Sequence, residues 1–243
     1  MQSNRAEAVA AISHRTLKLF IMSRVNHSNS NETKSQNPTK KYLSWKSVTK
    51  NFSYYDKEAE EDVVVDIPLK FVFLQHYHTV KGWHDASASG IYSNEVYYIG
   101  SEQLNVRSFK GGEIASGLYK EIKPSVLSAG GKYHRSIYVM LEDGTIANIS
   151  IKGAAVKEWS DFFDANKNLL DNNWVEINES ADKKKGSIKY STPVFTIGKA
   201  LSKAESTNAD NAAAEFQTYI NNYFSKDIEV NEPEVVTADE LDF

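Results

Sequence analysis

The sequence predicts a mainly β protein with two helices and disordered termini. Three observations predict it. Apolar and β-branched residues recur in short alternating runs through the middle of the chain, the mark of half-buried strands. Two such runs flank Asp143-Gly144, the residue pair that a tight hairpin turn favours. Helical spacing appears in only two places, near residues 153–170 and 205–224.

The elements follow in order. Residues 1–60 read as a basic, largely disordered arm. Its first 25 residues suit either a short basic amphipathic helix, as in a transit peptide, or an unordered extension. Met22 is an alternative start that would leave residues 1–21 outside the protein. The following stretch, rich in Ser, Asn, Thr and Lys, holds too little apolar surface to fold alone.

The folded body spans residues 61–224. "VVVDIPLKFVFLQHYHTV" (63–80) reads as one long strand or two bent ones. "EVYYIG" (95–100), "LNVRSFK" (104–110) and "SGLYKEIK" (116–123) follow as further strand material. "KYHRSIYVMLEDGTIANISIK" (132–152) is the hairpin. Helical period then takes over, with Val156, Trp159 and Phe163 on one face. Strands return at 173–180 and 186–198, joined by a basic turn at Lys183, Lys184 and Lys185. A last helix carries Ala209, Ala213, Phe216, Ile220 and Phe224 on one stripe. Residues 225–243 read as an acidic disordered tail.

This order fits an OB-fold-like barrel with extensions. An oligonucleotide-binding (OB) barrel has five strands, with a helix between the third and fourth. The helix near 154–163, followed by paired strands, matches that plan, and the material near 92–123 is an elaboration. A β-sandwich with one helix is the alternative.

Composition narrows the function. The chain has 243 residues and no cysteine, so thiolate nucleophiles, disulfides and Cys-ligated zinc are excluded. Net charge is only -4, yet it is segregated. Residues 1–50 hold nine Lys/Arg against Glu7 and Glu32, a net of +7. Residues 201–243 hold two Lys against ten acids, a net of -8, while 63–200 are near balance. No apolar run approaches bilayer length, so no membrane partner is expected.

No phosphate-binding loop, dinucleotide glycine pattern or nucleophile elbow is present. No enzyme activity and no cofactor are expected. The competing catalytic reading is a metal-dependent hydrolase using His76, His78 and His84, of which the first two alternate on one strand. Asp161 and Asp164 read as a solvated helix face. A third reading is a virion or scaffold interaction protein.

Binding of single-stranded nucleic acid has the best residue support. It needs rings that stack on bases and cations that follow phosphates, and the strands interleave the two. Trp83, between Gly82 and polar residues, reads as an exposed loop tip. Arg107 and Phe109 share a face, with Lys110 adjacent. Lys123 shares a face with Tyr119. Tyr133 and Arg135 project together, with His134 and Tyr138 on the other side, and Lys189 follows the basic turn. Phe71, Phe73, Tyr98, Trp159 and Phe195 read as packing, and Trp174 as exposed.

The chain closes with "NEPEVVTADELDF" (231–243). With "FVFLQHYHTVKGWHDASASGIYSNEV", "VRSFKGGEIASGLYKEIK", "GGKYHRSIYV" and "IANISIKGAAVKEWSDF", it resembles the single-stranded-DNA-binding proteins of tailed phages. The resemblance covers roughly residues 65–197 and the tail. It implies an OB fold, sequence-tolerant binding of single-stranded DNA, and a role in replication or recombination in the cytoplasm of a bacterial host. It also implies that Asp239, Glu240, Leu241, Asp242 and Phe243 recruit replication or recombination proteins.

Overall fold

In a computed structural model, Arg24 and residues 36–229 are described. They form eleven strands and three helices: β1 (Lys41–Lys46), β2 (Asn51–Asp56), β3 (Glu61–Val65), β4 (Leu69–His84), β5 (Ser89–Ser93), β6 (Leu104–Ser108), β7 (Gly112–Gly117), α1 (Tyr119–Ser128), β8 (Gly131–Leu141), β9 (Ile146–Lys152), α2 (Ala154–Asn166), β10 (Asn173–Lys185), β11 (Ile188–Ala200) and α3 (Lys203–Glu229). The protein is mainly β, as the sequence predicts, with one helix more than expected.

The OB-like order is present in β4, β8, β9, α2, β10 and β11. β4 pairs with β8, and β8 with β9, all antiparallel. The β8–β9 turn carries Gly144 at φ 81, the conformation for which Asp-Gly is suited. After α2 the chain returns as β10, which pairs with the start of β4 and with β11.

The sheet does not close. β1 pairs in parallel with β9 and meets β11 at a single point. There the N–H and Oγ of Ser191 donate to the carbonyl of Ser47, at 3.2 and 2.7 Å. Trp45 Nε1–H donates to the carbonyl of Ser191 at 3.0 Å.

Residues 41–56, assigned by sequence to the arm, are therefore strands of the sheet. Local composition disfavours them, but Leu43 and Phe52 are fully buried in the main core, and Trp45, Tyr54 and Val65 pack against it. Pairing to β9 supplies the partner that these polar runs lack on their own.

β4 is long enough to serve two units. Its first half lines the main core, where α2 seats Trp159 against Phe73 and Phe195. Its far end pairs with β5, which leads through β6 to β7. Here α1 covers Val80, Ile91, Leu104 and Val106 with Ile122 and Val126. Residues 119–123 are thus helix, not strand. Tyr119, Ile122 and Val126 share a helical face, and Pro124 in the second turn disguises that period. The "EVYYIG" segment contributes a single bridge, Val96 to His78, and then turns away.

A bulge in β4 decides which residues face where. Register breaks between Phe73 and Gln75, leaving Leu74 unpaired. Before it, Phe71 and Phe73 point inward to α2 while Val72 and Leu74 point outward. After it, His76, His78 and Val80 point inward, and Tyr77, Thr79, Lys81 and Trp83 outward. One extra residue inverts the alternation.

The outer face of the first half is covered by α3 through Ala209, Ala213, Phe216 and Ile220. Trp174, expected to be exposed, is buried there, with Lys70 Nζ 4.4 Å above its ring and its Nε1–H donating to Glu205. Tyr98, expected to pack, is exposed. Helix α3 also runs to Glu229, into the segment read as tail.

Candidate nucleic-acid interface

Past the end of α3, no other described element covers the outer face, which carries cations and rings. Strand register builds it. Lys132 on β8 is opposite Lys81 on β4, Lys81 is opposite Tyr92 on β5, and Tyr92 is opposite Arg107 on β6. A second row runs from Lys152 on β9 through His134 to Thr79. Lys46 on β1 follows Ser44, the partner of Ser150, and so stands beside Lys152.

At one end of these rows is an aromatic station. Phe109 is 73% exposed and Trp83 56%. Trp83 pairs with Gly90, and Phe109 lies over that glycine. A Cβ at Gly90 would sit 3.3 Å from the Phe109 ring, so the missing side chain lets the ring lie close to the sheet. Phe109 stacks on Tyr92 with centroids 4.6 Å apart and planes at 30°. Its turn is held by backbone donors: Phe109 N–H to Gly90 O, Lys110 N–H to Ser89 Oγ and Gly111 N–H to Ser108 Oγ. The ring is therefore presented, not merely left exposed.

The cations crowd one another. Lys41, Lys50, Lys70, Lys157, Lys183 and Lys199 each pair with a carboxylate. Lys46, Lys81, Lys132, Lys152 and Arg107 form no such ion pair among the described residues. Burial lowers the Lys152 pKa, and the charges on Lys132 and Lys46 lower it further. Burial, then Lys81, Lys152 and Lys132, pull His134 down to about 3. His134 is thus a neutral ring, its Nδ1 3.0 Å from Ser150 Oγ. Burial also lowers Lys81, opposed by the charge on Glu95. Glu95 itself accepts from Tyr138 Oη at 2.9 Å.

Of the residues predicted from sequence, Trp83, Arg107, Phe109 and Lys110 come together here. Tyr138 does not join them. It is 4% exposed beneath α3, its ring 4.2 Å from Phe216, and offers no face to a base. Tyr133 and Arg135 lie on the inner face. Arg135 Nη1 donates to His78 Nε2 at 2.6 Å, which leaves the His78 proton on Nδ1 to be donated to Tyr133 Oη. Burial first, then the Arg135 charge, lowers His78 to about 3. Lys123 is exposed on α1, off the sheet. Lys189 is exposed on the β10–β11 hairpin, opposite Lys184. Asp239, Glu240, Leu241, Asp242 and Phe243 lie outside the described residues.

Sequence reading missed Lys46, Lys81, Tyr92, Lys132 and Lys152. Alternation alone would have put Lys132 with His134, but the partners across strands carry the row. The imidazoles of the hydrolase reading are separately engaged: His76 Nδ1 accepts from Trp159 Nε1 at 3.0 Å, His78 bonds Tyr133 and Arg135, and His84 Nδ1 is 2.7 Å from Ser87 Oγ. No group of three potential ligands for a metal ion occurs among the described residues. A shallow groove of about 660 Å³ near His84, Glu113, Ser125 and Ser128 lies on the α1 side of the sheet. No described helix is long and apolar enough to cross a membrane.

No known protein family, curated protein or solved structure matches this chain.

Proposed function

We propose that the open outer face binds single-stranded DNA without sequence preference and without catalysis. One observation carries this reading: cations with no ion pair among the described residues lie in cross-strand rows that end at an exposed aromatic station. Such crowding destabilises a free sheet, because like charges oppose across strands. A polyanion relieves it. Rings at Trp83, Tyr92 and Phe109 supply sequence-tolerant stacking, and the lysines supply phosphate contacts. The near-neutral composition of the body does not oppose this, since Lys41, Lys50, Lys70, Lys157, Lys183 and Lys199 each pair with a carboxylate, while the row cations form no ion pair among the described residues.

The protein would then protect transient single strands in replication or recombination, in the cytoplasm of a bacterial host. Its acidic end, Asp239 to Phe243, would recruit partner proteins. Deleting residues 237–243 should leave or raise DNA affinity and abolish recruitment.

A gel shift with single- and double-stranded DNA tests the main reading. Single-strand binding should weaken with salt, with a log–log slope of about -0.7 per phosphate neutralised. Binding that ignores salt, or that prefers duplex, overturns it.

A further inference from the structure

We propose that β1 and β2 extend this face with a second base-stacking station, formed by Tyr42 and Tyr55, so that one single strand crosses the sheet diagonally from Trp83 to Tyr55. The proposal rests on the nucleic-acid reading of the outer face and adds a site to it.

Register makes the argument. Ser44 pairs with Ser53 and Lys46 with Asn51; two residues beyond that ladder, alternation puts Tyr42 and Tyr55 on the same outward face, Tyr42 beside Asn148 of β9 and Tyr55 beside Asp62 of β3. Both rings share the side that carries Lys46, because Leu43 and Trp45 point the other way into the core. Tyr42 is 46% exposed and Tyr55 58%. Two partly exposed rings on the face that carries Lys46 offer surfaces of the kind that bases stack on. Tyr42 is also held in place: Asn37 Nδ2 donates to its Oη at 2.7 Å.

The stretch between the two stations suits a phosphate chain. Lys46 and Lys152 lie along it with the exposed Ser44, while Ser53 and Ser150 are buried beneath. Asp62, opposite Tyr55 on β3, marks where the favourable surface stops. From Tyr92 to Tyr55 the path crosses five strand spacings and descends six residues, about 30 Å in all. That length lies within reach of the roughly 4–16 nucleotides an OB fold engages. The occupant is single-stranded because a duplex leaves no base face free to meet a ring.

The test compares oligo(dT) of about 4 and about 12 nucleotides, by fluorescence anisotropy, on the full chain. Wild type should bind the longer oligomer more tightly. The Tyr42→Ala/Tyr55→Ala variant should keep its affinity for the short oligomer and lose about ten-fold or more on the long one. Tyr55→Ser alone, at an exposed position, should show the same selective loss, and Tyr55→Trp should preserve wild-type behaviour. Equal loss on both lengths, or none on the longer, overturns the second station. If Trp83→Ala still weakens binding in that case, the primary reading stands. A wild type that binds neither oligomer overturns both.

Discussion

Lys132 stands directly across from Lys81 on adjacent antiparallel strands, like charge facing like charge. Neither forms an ion pair among the described residues, and Lys152 and Lys46 add to the repulsion. Opposed like charges destabilise a sheet by a fraction of a kcal/mol. Lys132→Glu should therefore raise stability by about 0.2–1 kcal/mol, a rise in Tm of up to about 4 °C. The same change should weaken binding to single-stranded DNA and flatten its salt slope by at least about 0.7. Calorimetry and a salt titration check the two halves, and a variant that loses stability while keeping its affinity contradicts the role given to this pair.

Trp83 and Phe109 are presented to solvent, while Tyr138 is roofed by α3. Trp83→Ala and Phe109→Ala should each cost about 1–3 kcal/mol of single-strand affinity, with little change in Tm. Tyr138→Phe should leave affinity unchanged. Anisotropy with a labelled oligo(dT) separates these outcomes, and a binding loss confined to Tyr138→Phe would reverse the assignment of the face.

Trp159 is fully buried on α2, and its indole N–H is bonded to His76. Trp159→Ala removes core volume and leaves His76 Nδ1 without its donor. It should cost about 3–5 kcal/mol in urea unfolding. The fraction that remains folded should bind DNA as wild type does.

Acid should unfold the protein earlier than its carboxylates alone would predict. His78 and His134 are both held at about 3 against an ordinary 6.5. Below pH 6.5 the unfolded chain takes up protons that the folded chain refuses. The stability they contribute is complete above that pH and falls as pH drops towards 3. Each imidazole contributes a slope of up to about 1.4 kcal/mol per pH unit in that window. Urea titrations between pH 7.5 and 5 read the slope, and His134→Asn should reduce it.

Much of the fold is legible from local signals. The 132–152 hairpin needs only alternation and Asp-Gly, and α2 needs only one apolar stripe. The 116–123 run misleads because Tyr119, Glu121 and Lys123 satisfy a period of two, while the stripe that forms the helix includes Val126, beyond that run. The arm misleads for another reason. β1 and β2 are too polar to predict alone, and they fold because β9 offers a distant edge. The same holds for the site: Trp83, Arg107 and Phe109 stand out as residue types, whereas Lys81 and Lys132 become a pair only when their strands align.

By itself the sequence determined the β8–β9 hairpin, the later strands β10 and β11, helix α2 and the separation of charge, because each depends on neighbours within a few residues. Tertiary structure alone decided which residues share the outer face. The Leu74 bulge turns Lys81 and Trp83 outward, α3 removes Tyr138 from that face, and β9 brings Lys46 to it. Side-chain direction in a strand reverses with every single-residue shift, so no local pattern can carry that information across the sheet.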